Sequence, residues 1–303
     1  MLGVANIAVL GAAALDTIAK VDKFPEADQI VFPLSINRYP GGSTANIAVG
    51  LKRLGLKTSF LGKIGGDTEG SLIKEDFIRE GVDTSYLEIE QDSLSAQAFI
   101  AVNRSGERVI YSLGGTALYD KDAEIDQVDF SGFSGLYIGE VLNNIGIKVV
   151  NSAQEFEIPI FYSPGGIFCG LGLEQIGYIV KNCDYLLLNL PELKILSGCD
   201  NKDDAIQKLL TYGARNLIVT EGVLGSGYYS RDSSFFAEAF KVEAVDSTGA
   251  GDSFTSGFIM GIYAGYKMEK CLKLGNACAA FTVTKMGART AMPKLSEVIN
   301  FIE

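Results

Sequence analysis

The stretch Val245-Asp246-Ser247-Thr248-Gly249-Ala250-Gly251-Asp252-Ser253-Phe254, running on into Thr255-Ser256-Gly257-Phe258-Ile259-Met260, sets two acids around a run of small residues and passes into a helix. A loop without bulky side chains lets successive backbone N–H groups converge on an anion, and a helix starting inside it adds the positive end of its dipole. Asp252 then falls in the first turn, where the dipole stabilises its carboxylate and keeps it ready to accept a proton. An anion cradle beside a poised base is the layout of a phosphoryl-transfer site. Any strand-to-helix connection can carry a glycine as a turn and an aspartate as a cap. Three small residues in a row between two acids, Gly249 to Gly251, argue for the functional reading.

Other phosphate motifs are absent. Phe254 stands where the dinucleotide fingerprint begun by Gly249-x-Gly251 needs its third glycine, and the unit lies far from the first strand. Gly55 and Gly62-Lys63 are too far apart for a Walker A loop, and Ile64 replaces its hydroxyl residue. The chain has no histidine, so acid–base chemistry near neutral pH falls to carboxylates, Lys, Tyr or Cys.

At 303 residues and 47% hydrophobic composition, the chain can bury one large α/β core and carry a small appendage. Its five cysteines, Cys169, Cys183, Cys199, Cys271 and Cys278, are odd in number and form no C-x-x-C pair. They read as reduced thiols of a cytoplasmic protein rather than a disulfide framework or zinc site. The apolar stretch Val4 to Leu15, with Ala12-Ala13-Ala14, imitates a signal peptide, but no Lys or Arg precedes it and it reads as a first buried strand. No apolar run is long enough to span a bilayer. A net charge of −11 without a basic cluster disfavours nucleic acid, whereas small phosphorylated ligands can still bind through amides, helix termini and a divalent cation.

Short runs rich in Val, Ile and Leu recur between helical stretches: Val4–Leu10, Thr58–Leu61, Gly135–Ile138, Ile158–Tyr162, Tyr185–Leu190 and Asn216–Thr220. This alternation predicts an α/β fold in one domain spanning residues 1–303, with a mostly parallel central sheet and helices on both faces. Thr17–Tyr39 and Ala96–Tyr111 alternate with the period of strands instead, and Asn103-Arg104-Ser105-Gly106 reads as a hairpin turn. We read residues 14–39 and 95–113 as a small β-sheet lid inserted in the domain, the alternative being an edge extension of the main sheet.

Pro40-Gly41-Gly42-Ser43-Thr44-Ala45-Asn46 leads into a helix whose face carries Ile47, Leu51 and Leu54, with Ser43 or Thr44 as the cap and Gly55 at C′. Asn46 lies in its first turn, where an amide that donates and accepts suits vicinal sugar hydroxyls, or simply caps. Glu140, Asn189, Glu192 and Thr220 with Gly222 stand at or just beyond strand ends, where ligands of open α/β sheets gather. Pro191-Glu192 is equally an ordinary helix start.

The three segments Gly41 to Asn46, Asn189-Leu190-Pro191-Glu192 and Asp246 to Phe254, in that order, resemble the ribokinase-like (PfkB) carbohydrate kinases along essentially the whole chain. The resemblance implies transfer of the ATP γ-phosphate to a hydroxymethyl group of a ribose- or fructose-like sugar or a nucleoside. It implies Asp252 as the base, Gly249, Ala250 and Gly251 as the anion hole, and Asp16, Gly41, Gly42, Asn46 and Glu140 as acceptor ligands. Asn189 and Glu192 would organise Mg²⁺ and phosphates through water, and Thr220, Gly222 and Asn276 would serve the nucleotide. A K⁺ site is implied at Asp246, Thr248, Thr282, Lys285 and Gly287, although Ala291 lacks the hydroxyl or amide often found there. Ser43-Thr44 replaces the Lys-Gly of true ribokinases, and Ser163-Pro164-Gly165-Gly166 is similar to the nucleoside-kinase branch. Phe99 and Tyr111 could stack on a base, the alternative being that, as strand residues, they form the core of the lid. An exposed lid sheet must protect or pair its edges, which suggests a homodimer through the lid. A sugar-binding protein that kept the fold without catalysis is the remaining alternative.

Overall fold

The computed structural model describes residues 5–302. Its strands are β1 (Asn6–Leu10), β2 (Ala14–Lys20), β3 (Ser35–Gly41), β4 (Lys57–Gly65), β5 (Leu87–Glu90), β6 (Gln97–Val102), β7 (Arg108–Gly114), β8 (Gly135–Ile138), β9 (Ile160–Tyr162), β10 (Tyr185–Asn189), β11 (Asn216–Thr220), β12 (Gly225–Tyr229) and β13 (Ser234–Glu238). Its helices are α1 (Ser43–Arg53), α2 (Thr68–Glu80), α3 (Asp122–Asp126), α4 (Asn143–Glu155), α5 (Gly165–Gly170), α6 (Leu173–Asn182), α7 (Leu190–Ser197), α8 (Lys202–Tyr212), α9 (Ala250–Tyr263), α10 (Met268–Thr282) and α11 (Leu295–Ile302).

Nine strands form one sheet in the order β13-β12-β11-β10-β9-β8-β1-β4-β5, parallel from β5 through to β11 and antiparallel at β12 and β13. Successive residues of β1 serve opposite faces, as the pleat requires. Ile7 and Val9 pack with Ile47, Leu51, Phe77 and Phe258 of α1, α2 and α9, while Ala8 and Leu10 pack with Ile145 and Val149 of α4. The chain runs from β1 to β4 on one side and later returns to β8 on the other, so strand order reverses beside β1, where the carboxyl ends of an open sheet leave a crevice.

The expected strands are present with shifted ends. Val4 lies outside the described residues, β9 begins two residues after Ile158, and Leu190 opens α7 instead of closing β10, because Asn189 caps that helix. The antiparallel pair β12–β13 was not legible: Gly225-Ser226-Gly227 carries no strand-forming side chain. The lid is a sheet of its own, ordered β3-β2-β6-β7, rather than an edge of the main one. Two antiparallel pairs flank the parallel pair β2–β6.

Two close approaches set the site. A Cβ on Gly257 of α9 would overlap the Cys278 thiol and the Leu274 carbonyl of α10, so its absence lets these helices pack backbone to side chain. Gly249, the N-cap of α9, has φ 77°, and a side chain there would meet the Ala288 backbone.

Candidate active site

Asp252 occupies the first turn of α9, and its carboxylate is held from α1. Ser43 Oγ donates to Oδ1 at 2.6 Å and Asn46 Nδ2 donates to Oδ2 at 2.7 Å. Burial raises the Asp252 pKa to about 6 against these two hydrogen bonds; Glu140 raises it further and Arg289 opposes. Ser43 and Thr44 do not cap α1, contrary to expectation. Gly42 is the N-cap without a side-chain bond, and both hydroxyls reach across to acids, Thr44 Oγ1 donating to Glu140 Oε2 at 2.8 Å. Thr44 is fully buried, wedged between Gly11 and Gly139 at the ends of β1 and β8.

The small-residue loop leaves part of its backbone unbonded, although not the Ala250 amide expected in the anion hole. The Ala250 N–H turns back to the Ser247 carbonyl at 3.3 Å and Ser253 bonds Gly249 at 2.9 Å. The N–H groups of Gly251 and Asp252 have no backbone acceptor among the described residues. A cavity of 280 Å³ opens over them and gathers Glu140, Asn189, Glu192, Thr220, Gly251 and Asp252, with Gly165 and Gly166 in its wall. A larger groove of 640 Å³ lies around Arg215, Asn216 and Arg231, at the other end of β11, away from all of these residues. It is a wide surface depression that none of the expected site residues line, whereas the smaller cavity gathers several of them.

Of the residues expected to bind an acceptor, Asn46 bonds Asp252 directly and Glu140 lines the same cavity, whereas Asp16, Gly41 and Gly42 lie outside its lining. Asp16 on β2 rises to about 6 because of its burial, which outweighs the opposing charge of Arg289, and its carboxylate accepts no hydrogen bond from the described residues. A Cβ on Gly41 would overlap that carboxylate. Asn46 is largely committed to protein: beyond Asp252, its Oδ1 accepts from Arg289 Nε at 2.7 Å. Glu140 is raised by burial against the Thr44 bond.

Asn189 and Glu192 form a reciprocal capping box on α7, Asn189 Oδ1 accepting from Glu192 N at 2.8 Å and Glu192 Oε2 from Asn189 N at 2.9 Å. The ordinary helix start and the site position therefore coexist, since both residues also line the cavity. Burial raises the Glu192 pKa, and Glu140 adds to it. Gly222 opens a short 3₁₀ turn, Gly222–Leu224, with φ 58° and open space where a side chain would be. Asn276 is buried, its amide donating to the carbonyls of Ala237 at 2.9 Å and Glu238 at 3.1 Å. Neither Gly222 nor Asn276 lines the 280 Å³ cavity.

The Asp246 loop and the segment after α10 come together. Asp246 Oδ2 accepts from Gly287 N at 2.8 Å, and Oδ1 accepts from Thr248 N at 2.9 Å and Thr248 Oγ1 at 2.7 Å. Burial alone would raise the Asp246 pKa; these donors and Arg108 bring it below the usual carboxylate range. Thr282 is turned inward to the Cys278 carbonyl, and Lys285 is exposed. Among the described residues no three acid, cysteine or histidine side chains lie close enough to hold a metal directly.

Sequence reading missed three contributors. Ser43 as base partner was hidden behind its capping chemistry. Arg108 of the lid donates to Thr248 Oγ1 at 2.7 Å, and Arg289 pairs with Asp76 beside Asn46. No local pattern marks either arginine; only the fold brings them to the site. Phe99 and Tyr111, in turn, share a face with Thr17 and Arg38, opposite the face of Asp16.

A large parallel sheet with a crevice at its switch point, a detached lid sheet, and a buried carboxylate beside unbonded helix amides make up the layout of a phosphotransferase. The chain matches the pfkB family carbohydrate kinases over residues 4–295 and belongs to that family. It is 30% identical to a ribokinase of Bacillus subtilis over 299 residues, 97% of this chain and 98% of that one. It superposes on the nucleoside kinase of Methanocaldococcus jannaschii with a TM-score of 0.84 at 26% identity, over 97% of both chains. The fold of an Arabidopsis thaliana ribokinase complexed with ribose and ATP matches with a TM-score of 0.87 at 23% identity, over 99% of both chains. The protein is a kinase of sugars or nucleosides, a transferase with an alcohol acceptor.

Proposed function

We propose that this enzyme transfers the γ-phosphate of ATP to a hydroxymethyl group of a ribose- or fructose-like sugar. The reading is carried by Asp252, a carboxylate of pKa about 6 held by two donors at the edge of a cavity bearing free helix amides. Above that pH it is ionised and can accept the acceptor's proton as the oxygen attacks. Phosphoryl transfer asks chiefly for positioning and charge stabilisation, which the unbonded amides of Gly251 and Asp252 would supply in place before reaction, with Gly249 and Ala250 shaping the loop. Asp16, free of protein donors, takes sugar hydroxyls together with Glu140 and the remaining N–H of Asn46, and Gly41 and Gly42 admit the ring closely.

Thr220 and Gly222 border the nucleotide, while Asn276 shapes that side by fixing the end of β13. The oxygen donors of Asn189 and Glu192, with Glu140 in the same cavity, fit a hard cation that keeps most of its water. Mg²⁺, when bound there, neutralises charge on the phosphate oxygens. The ribose and ATP of the Arabidopsis ribokinase support donor and acceptor class. An ADP-release assay over pentoses, hexoses and nucleosides, with Asp252→Asn as control, tests the proposal; a variant as active as the parent would sink it.

A nucleoside acceptor is the second reading. The lid face that carries Asp16 also presents Tyr39, Ile18, Ile100 and Ile110, an apolar surface suited to a base. Turnover of nucleosides exceeding that of free sugars by orders of magnitude would decide for it.

Ile30, Phe32, Leu34 and Ile36 are strongly exposed at the lid's β2–β3 side, and we propose a homodimer through the lid, to be checked by sedimentation. All five cysteines are free, and no helix among the described residues is long and apolar enough to cross a membrane, which supports a cytoplasmic location.

A further inference from the structure

Arg289 lies between α10 and α11, with its side chain only 11% exposed. Its Nε donates to Asn46 Oδ1, one terminal nitrogen pairs with Asp76, and the other reaches the Gly41 carbonyl at 3.4 Å. Burying a guanidinium is costly, and a buried ion pair is weak evidence of added stability. The side chain is not needed to tether its own segment. Arg53 of α1, held by Glu80, already donates to the carbonyls of Arg289 and Met292. Besides its pair with Asp76 and its reach to Gly41, the Arg289 side chain holds the oxygen of Asn46.

An arginine donates and never accepts, so the end of the Asn46 amide that faces it must be the oxygen. The nitrogen is thereby turned to Asp252, where it donates at 2.7 Å. We propose that Arg289, seated on Asp76, is a positioning residue that locks the Asn46 amide in the one orientation giving the base a hydrogen-bond donor. This rests on the reading of Asp252 as the base.

Without Arg289 the amide is free to flip, and its oxygen would then favour the protonated form of Asp252. Around Asp252, Ser43 and Asn46 of α1 donate to the carboxylate, Glu140 and Tyr137 face it from the β8 side, and Arg289 supplies the opposing positive charge. Removing Arg289 takes away both that charge and the fixed donor, and both losses raise the proton affinity of Asp252. The acid limb of kcat/KM therefore moves to higher pH.

The experiment is a set of pH–rate profiles for the parent, Arg289→Met, Asn46→Ala and the double variant. Arg289→Met is expected to move the acid limb up by about one unit, with KM for ATP unchanged. At a pH well above the acid limb, where the charge of Arg289 no longer decides the protonation of Asp252, the double variant is expected to be no slower than Asn46→Ala alone, because the positioning role runs through the amide. An unmoved limb, or losses that add, overturns the proposal. Should Arg289→Met not fold, Arg289→Lys decides: it keeps the charge without the planar fork and is expected to show a smaller upward shift, a parent-like profile being the contrary result. Asp252→Asn in the same assay separates the two levels. An active parent with an inactive Asp252→Asn leaves the kinase reading standing whatever Arg289 shows. If the parent phosphorylates no acceptor, a carbon-13 NMR titration of Asp252 in the parent and Arg289→Met carries the test, with the same expected shift and the same contrary result.

Discussion

The Ser43 hydroxyl donates to Oδ1 of Asp252 across 2.6 Å, although the two residues stand 209 positions apart. Ser43 is the first residue of α1 and Asp252 lies in the first turn of α9, so the start of each helix meets at one carboxylate. Burial pulls the base toward its neutral form and the two α1 donors pull it back. Ser43→Ala removes one of them, a hydrogen bond to a charged group worth about 1.5–3 kcal/mol. The acid limb of kcat/KM should then move to higher pH, by about one unit or more. A pH–rate profile that overlays the parent's would show that Ser43 does not tune the base.

Asp252→Asn should lower kcat by about 10²–10⁴-fold. The same variant should be more stable at pH 7. A carboxyl whose folded pKa of about 6 exceeds its unfolded value binds protons more tightly when folded. Stability is thus greatest below the unfolded pKa and falls as pH rises through about 6. An asparagine escapes that loss, on the order of 1–3 kcal/mol for a shift of this size. Thermal melts at pH 7 and pH 4 check it: the stabilisation should be present at the first and largely gone at the second.

Asp16 and Asp252 both sit at about 6 through burial, and the proposed reaction requires both ionised, one for acceptor binding and one for proton removal. The log–log profile of kcat/KM should therefore steepen below pH 6 toward a slope of about two. Asp16→Asn should leave a single-proton limb and raise KM for the acceptor more than for ATP. A slope that stays at one in the parent would contradict a joint requirement.

Gly249→Ala forces a side chain onto a residue at φ 77° and into the Ala288 backbone. The positive φ alone costs on the order of 1 kcal/mol, and the collision moves the loop that aligns the cradle amides. A lower melting temperature together with a kcat loss larger than the change in KM for ATP is expected. A variant that is merely less stable would place the cradle elsewhere.

Chelation with EDTA should abolish turnover and added Mg²⁺ should restore it, since Glu140, Glu192 and Asp252 line a cavity whose lining includes no Lys or Arg. Exchange of K⁺ for Na⁺ should change kcat by no more than about twofold, because the Asp246 carboxylate is already occupied by Gly287 and Thr248 donors and Ala291 offers no side-chain oxygen. A strong K⁺ requirement would mean that these bonds rearrange around the ion.

Much of the layout was legible because it rests on local rules. Alternating apolar runs placed β8 and β11 to the residue, and Asn103 to Gly106 marked the lid hairpin, since strand period and turn chemistry act over a few neighbours. Asp252 stood out because a helix start after small residues is itself a local object. β12 was missed where Gly225 and Gly227 supply no side chain to read, and Ser43 was misread because a serine before a helix ordinarily caps it.

The α/β framework, and the position of Asp252 in the first turn of a helix that opens on small residues, follow from residues within a turn or a strand of one another. Only the tertiary structure decided what surrounds the base. Ser43 and Asn46 of α1, Glu140 beyond β8 and Arg289 after α10 come from three distant segments, and their charge and hydrogen-bond direction meet at Asp252 only when α1 and α9 pack on the same sheet face. Electrostatic tuning depends on distance in space and on exclusion of water, and neither is written in the order of the chain.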